Sequence, residues 1–469
     1  MSIAKELVKG LFVHEAMNEQ LIIVKKKTQS GLKTNWSDFS VQSNGDVNTP
    51  ETCIENELIP CIDPFGNFLD ISCGDGSIVV AFANLLLQNN FTKDQVGNLI
   101  HIADHTNINI LITQKRLLQL GINIEKNNCA IYTKIEEIQD HPIMKKTFRN
   151  IVTNPPYQNP GKTKGQKQWY KIAKKCSELL EEDGNLVILT PNSWMSGGQN
   201  SGTWGVSKDL FKEKQLVKSK ITGITQTYFK DAGMKLGIDI SMWHVKNTPT
   251  MTTSIIEAED GIMHVDFRDN DFLSSIPTLA SNKVVKQTLG NKNLEKFEIL
   301  YFDNTIKAKD IKPIEKKEAD DTYNIPHYIL GSSTTGNLEV SYLDKPYKKD
   351  VTFNGKYENV KNTPKIIFTL QSRFWQPHLD MIGMCAISQG YTIPVPANTT
   401  QEGFESVFYS KTITYLMKAL QIDRNGMMKR SYVDNIPKFD MSKIWTEKEI
   451  QEFLELDKEM IQEINERVG

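Results

Sequence analysis

The residues of this chain best suited to chemistry stand together as Ile151-Val152-Thr153-Asn154-Pro155-Pro156-Tyr157-Gln158. Each proline fixes its own φ and biases the residue before it towards extended geometry. A hydrophobic pair followed by such residues reads as a strand end running into a rigid turn. That turn offers two fixed acceptors, the Asn154 side-chain carbonyl and a neighbouring backbone carbonyl. They suit methylation of a planar, conjugated amino group such as that of adenine. The amine's lone pair is delocalised into the ring, and acceptors that draw its hydrogens out of conjugation make it a nucleophile. Tyr157 offers a face on which the base stacks. Without a substrate, the same residues make a Pro-Pro turn with a satisfied Asn.

The elements that must position this turn lie upstream. Residues 68–77 read F-L-D-I-S-C-G-D-G-S and precede the apolar run V-V-A-F-A-N-L-L-L. A buried strand ending in Asp70, a glycine turn (Gly74, Gly76) and an apolar helix bring backbone amides against a nucleotide-like ligand, and Asp70 can answer a cationic amino group. The dinucleotide pattern G-x-G-x-x-G is absent, because Val79 stands where its third glycine falls. Asn98 to His105 reads as a second strand ending in Asp104, placed to hold a ribose diol or to cap the next helix. That helix has an expected face of Ile108, Leu111, Ile112, Lys115 and Leu118 and stops at Gly121. Asn48-Thr49-Pro50-Glu51 reads as a helix start, capped by Thr49 with Pro50 in first position.

Taken in order, Thr49-Pro50, Asp70 with Gly74 and Gly76, Asp104, and Asn154 to Tyr157 resemble the S-adenosylmethionine-dependent DNA adenine N6-methyltransferases, over roughly residues 45–245. The resemblance implies that Thr49, Asp70 and the Gly74/Gly76 loop hold the methionine end of S-adenosyl-L-methionine, and Asp104 its ribose. It implies that Asn154 and the following proline carbonyl hold the target amine, that Asn154 also borders the cofactor, and that Tyr157 stacks on an extruded base. Catalysis then rests on Asn154, Pro155, Pro156 and Tyr157. The family's acid near the end of the third strand has no counterpart here; the chain offers Asn128-Cys129-Ala130-Ile131, with Asn128 as the candidate adenine contact.

Residues 159–168 form a Gly/Lys stretch whose Lys162, Lys164 and Lys167 suit phosphate contacts beside a flipped nucleotide, or a solvated loop. A helix from Trp169 to Glu182, ending at Gly184, buries Trp169, Ile172, Ala173, Cys176 and Leu179. Phe229 is a candidate for packing on the base by resemblance, and an ordinary core residue otherwise. Lys246 to Pro249 reads as a linker. The later half looks like the target-recognition region of larger adenine methyltransferases, through Gln389 to Pro396 and Ser431 to Pro437. Within it Arg373, Lys429 and Arg430 suit DNA or surface salt bridges, and Thr446-x-x-Glu449 reads as a capping box. The expected fold class is α/β: an N-terminal segment (1–45), a doubly wound Rossmann-like methyltransferase domain (46–248) and a mixed α+β target-recognition region (249–469).

The 469 residues are 39% hydrophobic and 24% charged, enough for two or three globular domains. A net charge of -2 means that nucleic acid must meet a local basic patch rather than a global field. Six scattered cysteines without C-x-x-C spacing suit reduced thiols, and neither a disulfide frame nor a metal site is expected. The longest apolar run is too short for a bilayer, so a cytoplasmic, membrane-free protein is expected. The expected function is N6 methylation of adenine in double-stranded DNA, alone or beside a restriction endonuclease on a separate chain. An RNA adenine or a protein glutamine presents the same planar nitrogen. A fused restriction enzyme would need a nuclease signature, for which Asp303 with Glu315-Lys316-Lys317 is the available match.

Overall fold

The computed structural model describes residues 48–132, 134–135, 139–157, 169–195, 209–229, 239–268, 273–274, 276–297, 301–302, 326–330, 338–342, 364–369, 377–381, 390–419 and 435–468. The expected N-terminal segment (1–45), Lys162, Lys164, Lys167, Asp303, Glu315 to Lys317, Arg373, Lys429 and Arg430 lie outside these residues. The chain divides into two compact units. The first runs to Thr190 and adds Gly223–Leu236 and Met242–Asn247; the second holds Pro191–Thr222, Gly237–Ser241 and Thr248 onward.

In the first unit, strands β1 (Phe68–Asp70), β2 (Ile100–Asp104), β3 (Cys129–Ile131), β4 (Phe148–Thr153) and β5 (Leu180–Pro191) lie side by side in the order β3-β2-β1-β4-β5. Every neighbouring pair is parallel. Parallel strands covered on both faces read as apolar runs, and β1 and β2 are buried throughout. From β1 the chain steps outward to β2 and β3, then returns to place β4 on the other side of β1. This reversal opens a crevice at the carboxyl ends of β1 and β4, where open α/β sheets bind ligands.

Helix α1 (Ser77–Gln88) starts after Gly76, whose φ is 80°. A Cβ there would lie 2.7 Å from the Thr113 hydroxyl. Helix α2 (Lys93–Leu99) opens with a capping box between Thr92 and Gln95. Helix α3 (Asn107–Gln119) buries Ile110, Thr113 and Leu117, whereas Ile108 and Leu118, expected on its inner face, are 38% and 57% exposed. Close approach of Thr113 to Gly76, with Arg116 bonded to the Asp75 carbonyl and the Ser77 hydroxyl, sets the helix's rotation. Pattern alone misses that rotation because the inward stripe includes a threonine.

Three local expectations change. The first helical turn is Glu51–Cys53 with Pro50, not Thr49, at its N-cap. The Pro50 carbonyl accepts the amides of Cys53 and Ile54, so the helix begins one residue later and the Thr49 hydroxyl is used elsewhere. Helix α4 (Trp169–Glu178) stops short of Glu182; its expected core residues are buried. The Phe148 amide takes the Leu179 carbonyl, and Leu180 pairs with Phe148, drawing the next residues into β5. The expected linker at Asn247 is tied down instead, its side-chain amide donating to the carbonyls of Leu180 and Glu181.

In the second unit, β6 (Gln215–Lys220) runs parallel to β8 (Ser254–Glu257), which pairs antiparallel with β9 (Ile262–Val265). Strand β7 (Ile240–Lys246) gives most of its length to the first unit. The second unit also holds an antiparallel sheet, β10 (Tyr301–Phe302), β15 (Gly390–Pro394), β13 (Lys365–Thr369) and β14 (His378–Asp380), and a hairpin of β11 (Pro326–Leu330) and β12 (Leu338–Tyr342). Helices α5 (Leu279–Thr288), α6 (Gln401–Phe408), α7 (Lys411–Ala419), α8 (Glu447–Phe453) and α9 (Lys458–Val468) share a core that includes Val284, Phe408, Tyr415 and Ile464. Helix α8 opens with the expected Thr446/Glu449 capping box. Among the described residues, no helix is long and apolar enough to cross a membrane.

Gly97 in α2 faces the Asn123 carbonyl so closely that an added Cβ would sit 2.1 Å from its oxygen. Gly97→Ala should therefore destabilise the first unit by about 1–3 kcal/mol. Chemical denaturation checks this, and an unchanged midpoint would show that the helix shifts freely.

Candidate functional site

Asp70 ends β1 fully buried. Its Oδ1 accepts the Ser72 amide at 3.1 Å, while its Oδ2 has no hydrogen-bond partner among the described residues. One strand over, the hydroxyl of Thr153 at the end of β4 is likewise buried and unmatched. A carboxylate oxygen and a hydroxyl oxygen are both acceptors, so this corner fits an ammonium group. Burial pushes the Asp70 carboxyl up to about 7; the Ser72 amide and the nearby Thr153 hydroxyl oppose that rise, and the charges of Asp104 and Asp75 add to it. A cation bound there would favour the ionised form.

Asp104 ends β2, and its Oδ2 accepts the Gly74 amide at 2.9 Å. Its Oδ1 accepts from the Thr106 amide and hydroxyl and from Asn109 Nδ2. Thr106, not Asp104, is the N-cap of α3, since the Thr106 hydroxyl accepts the Asn109 amide. Asp104 thus secures both the glycine loop and the cap, and its Oδ2 keeps room for a further donor such as a ribose hydroxyl. The loop from Ile71 to Ser77 is also held by Tyr132, whose hydroxyl donates to the Ile71 carbonyl at 2.9 Å. Gly74 and Gly76 take φ values of 53° and 80°, conformations open to glycine at little cost.

Asn154 follows β4 directly. Its Nδ2 donates to the Thr49 hydroxyl at 3.1 Å, and its Oδ1 accepts the Tyr157 hydroxyl at 2.9 Å. The structure therefore joins three of the residues singled out from sequence, with Thr49 and Asn154 105 positions apart. Tyr157 is 9% exposed, and burial holds its phenol protonated well above the usual range. Carrying an oriented carboxamide between two hydroxyls, the arrangement can present an oxygen to an amine.

Other candidates fall elsewhere. Asn128 precedes β3 and so lies at the strand end opposite to Asp104's; its Oδ1 accepts Lys146 Nζ, which also sits 2.6 Å from His101 Nε2. It is part of a polar network that links buried Asn128 and His101 to the exposed Lys146, and the carboxyl end of β3 is occupied by Ile131 and Tyr132. Phe229 follows the short helix Ile224–Tyr228 and is 1% exposed, while neighbouring Tyr228 donates its hydroxyl to the buried Glu57 carboxylate. Sequence reasoning passed over Thr153 and Arg116. Thr153 stands inside the motif, yet nothing in its residue type marks a buried hydroxyl left unmatched.

Residues 74–223 match the family model of the Eco57I restriction-modification methylase. No curated protein matches the chain. Among solved structures, the modification subunit of a type I restriction enzyme from Vibrio vulnificus YJ016 is similar at 14% identity, over 45% of this chain and 46% of that one, with a TM-score of 0.36. The EcoKI M protein gives 11% identity over 45% and 47%, with a TM-score of 0.35. The type IIL restriction-modification enzyme MmeI in complex with DNA gives 10% over 93% and 77%, with a TM-score of 0.47. The match spans less than half the length of the first two.

Between about pH 4 and pH 7, folded Asp70 holds a proton that the unfolded chain releases, so this group's contribution makes the fold less stable as pH rises through that window. Asp70→Asn, neutral and of the same shape, should gain about 2–3 kcal/mol relative to the wild type between pH 5 and pH 7.5. Parallel stability curves for the two proteins would contradict the buried, unanswered carboxylate.

Proposed function

We propose, for a chain whose residues 74–223 are those of a restriction-modification methylase and whose cofactor is S-adenosyl-L-methionine, that it methylates the N6 amine of an adenine in double-stranded DNA. The observation that carries this reading is the Asn154 carboxamide, fixed at the carboxyl end of β4 beside the crevice, with its oxygen oriented by two hydroxyls. Asp70 answers the cofactor's amino group, with Thr49 and the Gly74/Gly76 loop around the methionine end and Asp104 at the ribose. Bound S-adenosyl-L-methionine supplies a methyl carbon already activated by its positive sulfur.

The chain's own residues then have to present the nucleophile. A paired, stacked adenine cannot reach the crevice, so the base must be flipped out of the duplex. Asn154 Oδ1 and the Pro155 carbonyl accept the two amine hydrogens, turning the nitrogen lone pair out of the ring and towards the methyl carbon. The new nitrogen–carbon bond forms as the carbon–sulfur bond breaks with its pair to sulfur, and the extra amine proton leaves to solvent. Positioning carries most of the acceleration, and no strong base is needed. In this structure the Tyr157 hydroxyl uses one lone pair of that oxygen, which leaves the other for an amine hydrogen. Lys162 and Lys164 are assigned to the phosphates beside the base, and the region 249–469 to reading the DNA sequence.

Asn154→Ala should cut labelled methyl transfer into DNA by about a hundredfold to a thousandfold. Its affinity for S-adenosyl-L-methionine should stay within about threefold in calorimetry, because cofactor and amine contacts are separable. Full activity in the variant would refute the assigned acceptor. Wild-type label appearing in RNA or protein but never in DNA would refute the substrate.

A further inference from the structure

We propose that Thr49 is a positioning residue for methyl transfer: by accepting the Asn154 amide hydrogen, its hydroxyl helps to hold the carboxamide with its oxygen towards the substrate. This inference rests on the reading of Asn154 as the amine's acceptor, and goes beyond the cofactor contact assigned to Thr49.

A carboxamide is nearly symmetric in shape, but its two ends are opposite in chemistry. Turned by half a rotation, Asn154 would show an NH2 to the incoming amine, two donors would meet, and the acceptor would be lost. The contacts on either side fix the choice. Tyr157 carries a phenol, a stronger donor and a weaker acceptor than an alkyl hydroxyl, because its oxygen lone pair is shared with the ring. The carbonyl therefore takes the Tyr157 O–H at 2.9 Å, and the amide N–H goes to the Thr49 oxygen at 3.1 Å.

The two partners act on different atoms. Tyr157 uses one lone pair of Oδ1, the atom an incoming amine also needs, whereas the Thr49 bond is on the nitrogen and is untouched when an amine meets the oxygen. Thr49 therefore helps to keep the oxygen forward whether or not the Tyr157 bond persists. The local chain suits that task. Thr49 is 7% exposed, and Pro50 behind it restricts its backbone to extended geometry. Pro50 also supplies the helix N-cap, which leaves the threonine hydroxyl available for Asn154.

The test compares Thr49→Val, of the same shape without an acceptor, with Thr49→Ser, which keeps one. Single-turnover methyl transfer is measured at saturating S-adenosyl-L-methionine and DNA, and cofactor affinity is measured separately by calorimetry. Thr49→Val should lower the single-turnover rate about tenfold to a hundredfold even at saturating cofactor. Thr49→Ser should restore it to within about threefold of wild type. If saturating cofactor returns Thr49→Val to the wild-type rate, the residue acts through binding alone and the proposal fails. Equal losses in both variants would overturn it too, since then the lost methyl packing, not the hydroxyl, governs the rate. The underlying reading is judged on the wild type: without methyl transfer into DNA, the assigned substrate is wrong before any variant is compared.

Discussion

An unanswered carboxylate oxygen, buried at the end of a central strand, is the constraint around which the first unit is arranged. Ionised Asp70 without a second partner is costly inside a protein, and burial accordingly moves its carboxyl up to about 7. The surroundings relieve it only in part: Ser72 satisfies one oxygen, and the Thr153 hydroxyl lies close enough to favour the charge without a well-formed hydrogen bond. Core residues are rarely left this way unless something else completes them. In the function proposed above, the cationic end of S-adenosyl-L-methionine is the group that would complete them, and part of the fold's stability would be held in reserve for binding.

Sheet order puts that corner next to the chemistry. Because the strand sequence reverses between β1 and β4, Asp70 and Asn154 stand at the carboxyl ends of neighbouring parallel strands. Gly74, Asp104 and Arg116 hold the loop on the β1 side, while the prolines hold the β4 side. Such rigidity is what the proposed reaction requires, since an amine must meet an acceptor within a fraction of an ångström of its productive place. The Tyr157 bond to Asn154 Oδ1 keeps the acceptor satisfied while no base is present.

Legibility followed chain-local physics. The motif residues declared themselves because prolines, glycines and strand-end acids act on their immediate neighbours. The doubly wound α/β class and the capping box at Thr446 were likewise readable. What depended on distant contacts was not. Thr49 looked like a helix cap, but its hydroxyl is claimed by a residue 105 positions away. The inward face of α3 turned on Thr113 meeting Gly76, a contact that no periodicity announces. The end of α4 was set by β4 recruiting Leu180 into the ladder, and Asn128 was misplaced because the strand after it begins, rather than ends, at that point.

The central claim is that Asn154 presents adenine's amine for methylation in DNA. Its most direct test is single-molecule modified-base sequencing of plasmid DNA from cells producing this protein, beside the same plasmid from cells producing Asn154→Ala. The account predicts N6-methyladenine at one recurrent sequence with the wild type and none with the variant. Plasmid free of modified adenine in both, or equally modified in both, would contradict it.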